Sequence, residues 1–546
     1  MALSYASGTS TVPLLGQTIG DNLEDTVRRF GEREALVVVH EGKRWTYAQL
    51  NDHVDHIARR LLAMGLQAGD RLGVWAPNCS AWTMVQYATA KVGVILVNIN
   101  PAYRTHEVEY VLRQSGCRML VAAETFKTSN YRAMIDEVRG SLPALEHVLY
   151  IDTPEWHGWL GGQQAPEGEL RERMAGLSFD DPINIQYTSG TTGFPKGATL
   201  THHNILNNGF FVARGCNYTE QDRVCIPVPL YHCFGMVMGN LGCTTHGATM
   251  VYPAPSFDPL ETLRAVQAER CTSLYGVPTM FIAQLTHPDF AQLDLASLRT
   301  GIMAGSPCPV ETMKQAMSLM NMSEVGICYG MTETSPVSTQ TAADDTIEQR
   351  TGTVGRVHPH VEVKIVDSAT GRCVQRGESG ELCTRGYSVM LGYWNDPEKT
   401  AEAVDAAGWM HTGDLAVMDE AGYVNIVGRS KDMIIRGGEN VYPREIEEFL
   451  YTHPDIVDVQ VVGVPDAKYG EEIMAWVRAR EGAVPLTTEA VRAFCQGRIA
   501  HYKVPRYVHV VDEFPMTVTG KIQKYKLRDA AVVLLGLEDA AAIRTA

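Results

Sequence analysis

Short aliphatic runs alternate with amphipathic helical patterns over the first two-thirds of the chain, and this alternation limits the fold more than any other feature. Residues 35–39 (Ala-Leu-Val-Val-Val), 71–75 and 94–97 read as strands, with helical patterns at 47–64 and 81–93 between them. A second cycle follows, with strands at 248–252 and 273–275 and helices at 259–269 and 280–285. Strands separated by helices of this length are joined by crossovers, so the expected class is α/β: a large N-terminal body of layered βα sheets, largely parallel. After about Thr353 the pattern changes, because 361–366, 380–384 and 423–427 alternate at period two between Gly-rich turns. This predicts a small β-barrel-like subdomain. From Arg429 a compact α+β pattern returns, with helices at 443–451 and 488–499 and strands at 457–462 and 507–511. The expected division is a large domain over 1–428 and a small, mobile α+β C-terminal domain over 429–546.

At 546 residues the chain exceeds one hydrophobic core, since a domain averages about 150 residues. A formal net charge of -16 argues against nucleic acid or an anionic membrane surface as the main partner, because both demand clustered Lys and Arg. Anionic ligands must then be met by local sites. The twelve cysteines show no CxxC pair and no zinc-ligand spacing, which predicts reduced, mostly buried thiols. Residues 1–20 show no basic stretch followed by an apolar one and are not Arg-rich, so a cytoplasmic protein is expected. Residues 224–257 contain no Asp, Glu, Lys or Arg, yet Pro227, Pro229, Gly235, Gly239, Gly242 and Gly247 interrupt them. A membrane helix tolerates no such run of breakers. The segment is expected to be strand, loop and helix buried in the body, where it suits the wall of an apolar tunnel. No stable membrane insertion is expected, and a homodimer is left open.

The strongest chemical signal is Tyr187-Thr188-Ser189-Gly190-Thr191-Thr192-Gly193-Phe194-Pro195-Lys196-Gly197, fed by a short strand at 183–186. Its glycines let backbone N–H groups approach anionic oxygens, its hydroxyls add donors, and Lys196 supplies a point charge. That combination grips a polyphosphate. A Walker A loop ends in Gly-Lys-Ser/Thr and opens a helix, whereas Pro195-Lys196-Gly197-Ala198 does neither, which disfavours a P-loop NTPase.

Five further segments accompany it: Gly305-Ser306-Pro307-Cys308-Pro309, Tyr329-Gly330-Met331-Thr332-Glu333-Thr334, Thr412-Gly413-Asp414, 428–445 beginning Gly428-Arg429-Ser430-Lys431-Asp432, and Thr519-Gly520-Lys521. In this order, from about 46 to 528, the chain resembles the adenylate-forming superfamily of acyl-CoA synthetases, firefly-type luciferases and peptide-synthetase adenylation domains. The resemblance implies ATP, Mg²⁺ and CoA as ligands and a first step in which a carboxylate attacks the α-phosphorus of ATP. Two anions then meet, and cations must be supplied where charge builds. Lys521 matches the lysine that does so. Glu333 matches the acidic residue holding Mg²⁺, with Thr188 and Thr332 adding hydroxyl contacts. Tyr329 is expected against adenine, and Gly305, Ser306, Pro307 and Gly330 to shape the slot through their backbone. Asp414 and Arg429 match the ribose contacts, with Ile426 beside them. Lys431 matches the hinge about which the C-terminal domain rotates after adenylation. The motif 436–440, Gly438 above all, then lines the pantetheine tunnel.

Within Pro229-Leu230-Tyr231-His232-Cys233-Phe234-Gly235-Met236, His232 matches the residue bordering the acyl carboxylate. Peptide-synthetase domains carry an Asp just past this Phe to pair an α-ammonium, and 235–239 carries no acid. The expected acyl-pocket residues are Met236, Val237, Tyr275, Gly276, Val277, Met303, Ala304 and Val337, which suit an alkyl chain. Gly235, Gly239, Gly276 and Ala304 are expected to leave space for it. The resemblance is nearest to medium-chain fatty acyl-CoA synthetases. Loading of a carrier protein, reaction of the adenylate with oxygen and a catalytically inactive binder stay open as alternatives.

Overall fold

The structure is a computed structural model that describes residues 2–188, 195–429, 432–436, 439–466, 468–483, 486–496, 498–517 and 520–538. Two large sheets carry the N-terminal body. In the first, Pro182–Thr188, Ile95–Asn98, Arg71–Trp75, Met119–Ala122 and His147–Tyr150 run parallel side by side. Lys196–Thr201 pairs antiparallel with Pro182–Thr188, and Gly392–Tyr393 pairs with its other edge. In the second, six parallel strands in the order Glu324–Gly330, Thr300–Ala304, Ser273–Gly276, Arg223–Cys225, Thr249–Tyr252 and Glu34–Val38 are flanked by antiparallel edge strands.

The two sheets share one core. Helices Tyr47–Ala63, Ser80–Val92 and His202–Gly215 contribute to a single apolar cluster with Leu72, Val74 and Leu96 of the first sheet and Leu36, Met250 and Tyr252 of the second. Ser80–Val92 is buried along its whole length, which explains why its sequence lacks a polar face. Its one charged side chain, Lys91, is fully buried and donates to Asn51 at 2.7 Å and to the carboxylates of Glu24 and Asp55. Helices Ile19–Phe30, Tyr47–Ala63 and Ser80–Val92 are thereby tied through one ammonium. Each starts or packs as the sequence directs; Thr46 and Gln49, for example, cap the second reciprocally.

The charge-free segment is a strand, a π-helix at Phe234–Leu241, a short α-helix at Gly242–His246 and a strand, buried in these elements except at His246. Among the described residues no helix is long and apolar enough to cross a membrane. The period-two region forms a five-stranded antiparallel sheet in the order Tyr5–Ser7, Val361–Val366, Ser379–Gly386, Met410–Met418 and Val424–Arg429. Its edge strand comes from the N-terminus, a long-range pairing that no local pattern reveals. Beyond it, Ile434–Arg436, Glu439–Val441, Ile456–Asp466, Gly470–Ala479 and Tyr507–Val510 make a separate sheet over its own core around Ile446, Val461 and Val477. Helix 488–499 of the sequence reading ends earlier, at Cys495, and the last helix is Lys524–Leu535. All twelve cysteines are free thiols, ten of them buried.

Replacing Lys91 with Met leaves Glu24 and Asp55 beside the core with the half-exposed Arg171 as their remaining cation. Because the carboxylates are about one-fifth exposed, the cost lies near the low end for a broken buried pair, about 3 kcal/mol. A clear fall in thermal midpoint is expected, with partial recovery when Glu24→Gln and Asp55→Asn are added. An unchanged midpoint in Lys91→Met rejects the tie.

Candidate active site

The polyphosphate-type loop leaves the first sheet at Thr188, and the chain returns at Lys196, the residue directly across the ladder. Thr188 Oγ1 donates to the Lys196 carbonyl at 3.4 Å. Ser189, Gly190, Thr191 and Thr192 lie outside the described residues. Lys196 Nζ sits 4.2 Å above the ring centroid of Tyr393, on the next strand. The Tyr393 hydroxyl in turn donates to Glu333 Oε1 at 2.8 Å. Glu333 is only 5% exposed, in the short 3-10 turn Thr332–Thr334, and its carbonyl accepts from Met390 N. Sequence pattern alone does not mark Tyr393, because the run Gly392-Tyr393-Trp394 reads as ordinary core.

On the nucleotide side, Tyr329 O–H donates to Asp414 Oδ2 at 2.7 Å and Arg429 Nε pairs with Asp414 Oδ1 at 3.2 Å. Burial raises the Asp414 pKa, opposed by the Arg429 charge. Burial raises the Tyr329 phenol, and the Asp414 charge adds to it. Tyr329 and Ile426 flank the same apolar cluster on the second sheet. Gly330 is required, since a Cβ there would lie 1.8 Å from the Pro336 carbonyl oxygen. Gly305, Ser306 and Pro307 follow strand Thr300–Ala304, with Gly305 and Pro307 exposed.

Lys521 reaches this place from the C-terminal unit. Its turn is closed by Thr517 N donating to the Lys521 carbonyl at 2.7 Å, and Thr279 Oγ1 donates to the Gly520 carbonyl at 3.1 Å. A Cβ on Gly305 would sit 3.6 Å from Lys521 Cε. Burial lowers the Lys521 pKa, as does the charge of Arg429, while Cys233, Glu333 and Asp414 act in the opposite sense. His232 is pulled down to about 3 by burial, with the Lys521 charge adding to it. Its Nδ1 accepts from Phe234 N at 3.2 Å, which fixes the ring. Lys521, His232, Glu333, Asp414 and Arg429 therefore share one electrostatic neighbourhood. Lys431 and Gly438 lie outside the described residues. Arg436 next to them is held by two 2.8 Å bonds to the buried Glu472 carboxylate.

The expected acyl wall needs correction at four positions. Strand alternation sends Ala304 and Tyr275 into the core shared by the two sheets, together with Met236, Val237, Val277 and Val337. Met303 faces the other side, with Phe281 and Met313. Its ladder partner Gly276 points the same way, since a Cβ there would lie 2.9 Å from the Phe281 ring. A Cβ on Gly235 would lie 2.4 Å from the Pro229 carbonyl, and one on Gly239 2.9 Å from Ile226 Cδ1. These glycines permit close packing and do not open space by lacking a side chain. Met236 Sδ accepts from Asn98 Nδ2 at 3.1 Å and Gln186 Nε2 at 3.2 Å, so a buried amide cluster of the first sheet fixes it.

One grouping escaped the spacing argument. Glu381, Cys383 and His411 bring donor atoms within 4.8 Å of one another, because Ser379–Gly386 pairs with Met410–Met418. Lys364, the ladder partner of Cys383, already puts positive charge there. His411 Nδ1 lies 3.0 Å from Glu381 Oε2, an ordinary pair near Asp414.

The sequence matches the AMP-binding enzyme family over residues 23–394 and the AMP-binding enzyme C-terminal domain over 445–521. The putative acyl-CoA synthetase YngI of Bacillus subtilis is 49% identical over 96% of this chain and 99% of its own length. The mitochondrial medium-chain acyl-CoA ligase ACSF2 of Danio rerio is 46% identical over 98% and 92%. Among solved structures, the anthranilate CoA ligase AuaEII in complex with anthranoyl-AMP superposes with a TM-score of 0.86 at 27% identity, covering 96% of this chain and 99% of that one. The chain belongs to the AMP-binding, adenylate-forming enzymes of the acyl-CoA synthetase type.

The depressed Lys521 pKa has a signed consequence. The ammonium is fully present below that pKa, so acid-dependent pyrophosphate release should fall as pH rises through it, earlier than for an exposed lysine. In Lys521→Arg the guanidinium stays charged, and the alkaline limb should move out of range. The same limb in the Arg variant rejects Lys521 as its source. His232, neutral above about pH 3, should add no acid limb between about pH 5 and 8.

Proposed function

We propose that this enzyme is an AMP-forming acyl-CoA synthetase: it joins an aliphatic carboxylic acid of medium length to AMP, releases pyrophosphate, and passes the acyl group to CoA. The observation that carries the reading is the docking of the Lys521 turn of the C-terminal unit on Thr279 beside Gly305, where Lys521 lies within the field of Glu333, Asp414 and Arg429 and acts on His232. An ammonium at that point offsets the negative charge that accumulates when a carboxylate attacks the α-phosphorus. In this reading Asp414 and Arg429 hold the ribose, Tyr329 and the Gly305-Ser306-Pro307 turn border adenine, and Thr188, Thr332 and 189–192 with Lys196 contact phosphates. Glu333 fits a hard divalent cation, being a buried carboxylate with one oxygen already hydrogen-bonded. Bound Mg²⁺ would neutralise phosphate charge there.

His232, neutral and held by its own backbone neighbour, borders the acid. Ala304, Val277, Val237 and Val337 line the apolar side, with Phe234 packed 5.4 Å from Tyr275. The names of the relatives support an acyl-CoA product and, for ACSF2, a medium-chain acid. The division at 428/429 and rotation about Lys431 belong to this proposal. They are supported by the C-terminal sheet having its own core.

Lys521→Ala should cut adenylation by about 10²- to 10³-fold while synthetic acyl-adenylate is still converted to thioester within a few-fold of the unmutated rate. Equal loss of both half-reactions rejects the assignment. Across a panel of straight-chain acids, kcat/KM should rise about three- to fourfold per methylene, since each buried CH₂ is worth roughly 0.8 kcal/mol. The rise should stop between hexanoate and dodecanoate. Ala304→Trp should shift the optimum to shorter acids with the KM for ATP nearly unchanged. Acetate or benzoate outperforming octanoate would sink the aliphatic reading and leave the adenylation chemistry standing.

A further inference from the structure

Tyr393 stands between two charged groups that the proposed reaction keeps for the phosphates. One face of its ring carries the Lys196 ammonium at 4.2 Å, and its hydroxyl donates to Glu333 Oε1 at 2.8 Å. The backbone that carries the ring is held by three contacts. Its strand pairs with Lys196–Thr201, so that Tyr393 opposes Ala198; its N–H donates to Thr400 Oγ1 at 2.9 Å; and the next residue, Trp394, donates its N–H to the Gly197 carbonyl at 2.7 Å. Tyr393 is 6% exposed, so neither contact is a surface accident. Thr400 is in turn anchored by donating to the Asp396 carbonyl at 2.7 Å at the start of helix Pro397–Ala403.

An ammonium and a buried carboxylate that contact the same ring attract each other, and a direct pair between them would occupy the oxygens a divalent cation needs. An aromatic ring is the side chain that separates them without expelling either charge, since its face attracts the cation and its phenol O–H serves the anion. We infer that Tyr393 is a positioning residue of the adenylation half-reaction: it holds Lys196 on its ring, away from Glu333, and orients Glu333 so that its other oxygen faces the metal of the nucleotide. The inference rests on the adenylate-forming reading above. Positioning of this kind governs metal affinity, because a carboxylate ligand without its outer hydrogen bond rotates and binds less well.

The test uses the full chain and two variants. Tyr393→Phe keeps the ring and loses the hydroxyl, whereas Tyr393→Leu loses both. Thermal stabilisation by ATP is followed as Mg²⁺ is titrated, a readout of ternary binding that needs no turnover. The Mg²⁺ midpoint should rise about tenfold in Tyr393→Phe. It should rise further in Tyr393→Leu, where the KM for ATP should also increase. Conversion of synthetic acyl-adenylate to thioester should stay within about twofold in both variants, whereas a merely structural role would lower both half-reactions and the ligand-free midpoint together. An unshifted Mg²⁺ midpoint in Tyr393→Phe overturns the carboxylate arm. A Leu variant that matches the Phe variant overturns the cation arm. If Leu unfolds without ligand, a raised KM for ATP in Lys196→Met with an unshifted Mg²⁺ midpoint supports the cation arm, and a shifted midpoint overturns it. Failure of the parent reading is separately visible as absence of acid-dependent pyrophosphate release by the unmutated enzyme.

Discussion

The ladder that clamps Lys196–Thr201 between Pro182–Thr188 and Gly392–Tyr393 is the constraint on which the site depends. It fixes both ends of the loop, because Thr188 and Lys196 face each other across the pair. It also brings a residue from some two hundred positions downstream against the loop's cation. Gly197 is small for the same reason: a Cβ there would lie 2.8 Å from Ile185 Cγ2, inside the sheet it must join. Beyond that edge, Asn204 accepts from Thr201 N at 2.9 Å and donates to the Tyr387 carbonyl, so the following helix is tied to the connection that leads into Gly392–Tyr393. One sheet edge thus holds the loop, its lysine and the segment that reaches Glu333.

The site gathers charge in a place where water is scarce, and every shift there follows from that. Burial lowers Lys521 and His232 and raises Asp414 and the Cys233 thiol, the last to about 12. Each is the direction expected when the ionised form loses solvent. The carboxylates partly offset the cost for Lys521, while Arg429 adds to it. An anionic substrate entering such a site meets an ammonium, that of Lys521, whose own solvation has already been reduced, the condition under which its field is strongest. The same pattern is visible far from the site, at Lys91, where one buried ammonium is met by three acceptors from two neighbouring helices.

Glycines illustrate how one residue type serves different ends. In Gly235, Gly239 and Gly276 the missing Cβ admits a carbonyl, an isoleucine or a phenyl ring at a distance no side chain would allow. Gly520, with φ +77°, turns the chain so that its carbonyl meets Thr279 and Lys521 points inward. Only the last acts directly on the site, through backbone conformation.

The sequence by itself determined the class of fold and the runs of strand and helix, and it named the residues from which the proposed site is built. These are properties of local pattern: period, turn residues, and motifs whose members lie within a dozen positions. Lys521, Glu333, Asp414, Arg429 and His232 were all legible because each sits in a motif. Tertiary structure decided what depends on which strands become neighbours. It recruited Tyr5–Ser7 to a sheet formed more than 350 residues later, set which core Met303 and Ala304 each face, and closed the glycine sites that composition suggested were open. It also put Tyr393 between Lys196 and Glu333. No periodicity encodes such a contact, because register between distant strands is set by the packing of both sheets around a shared core and not by either segment alone.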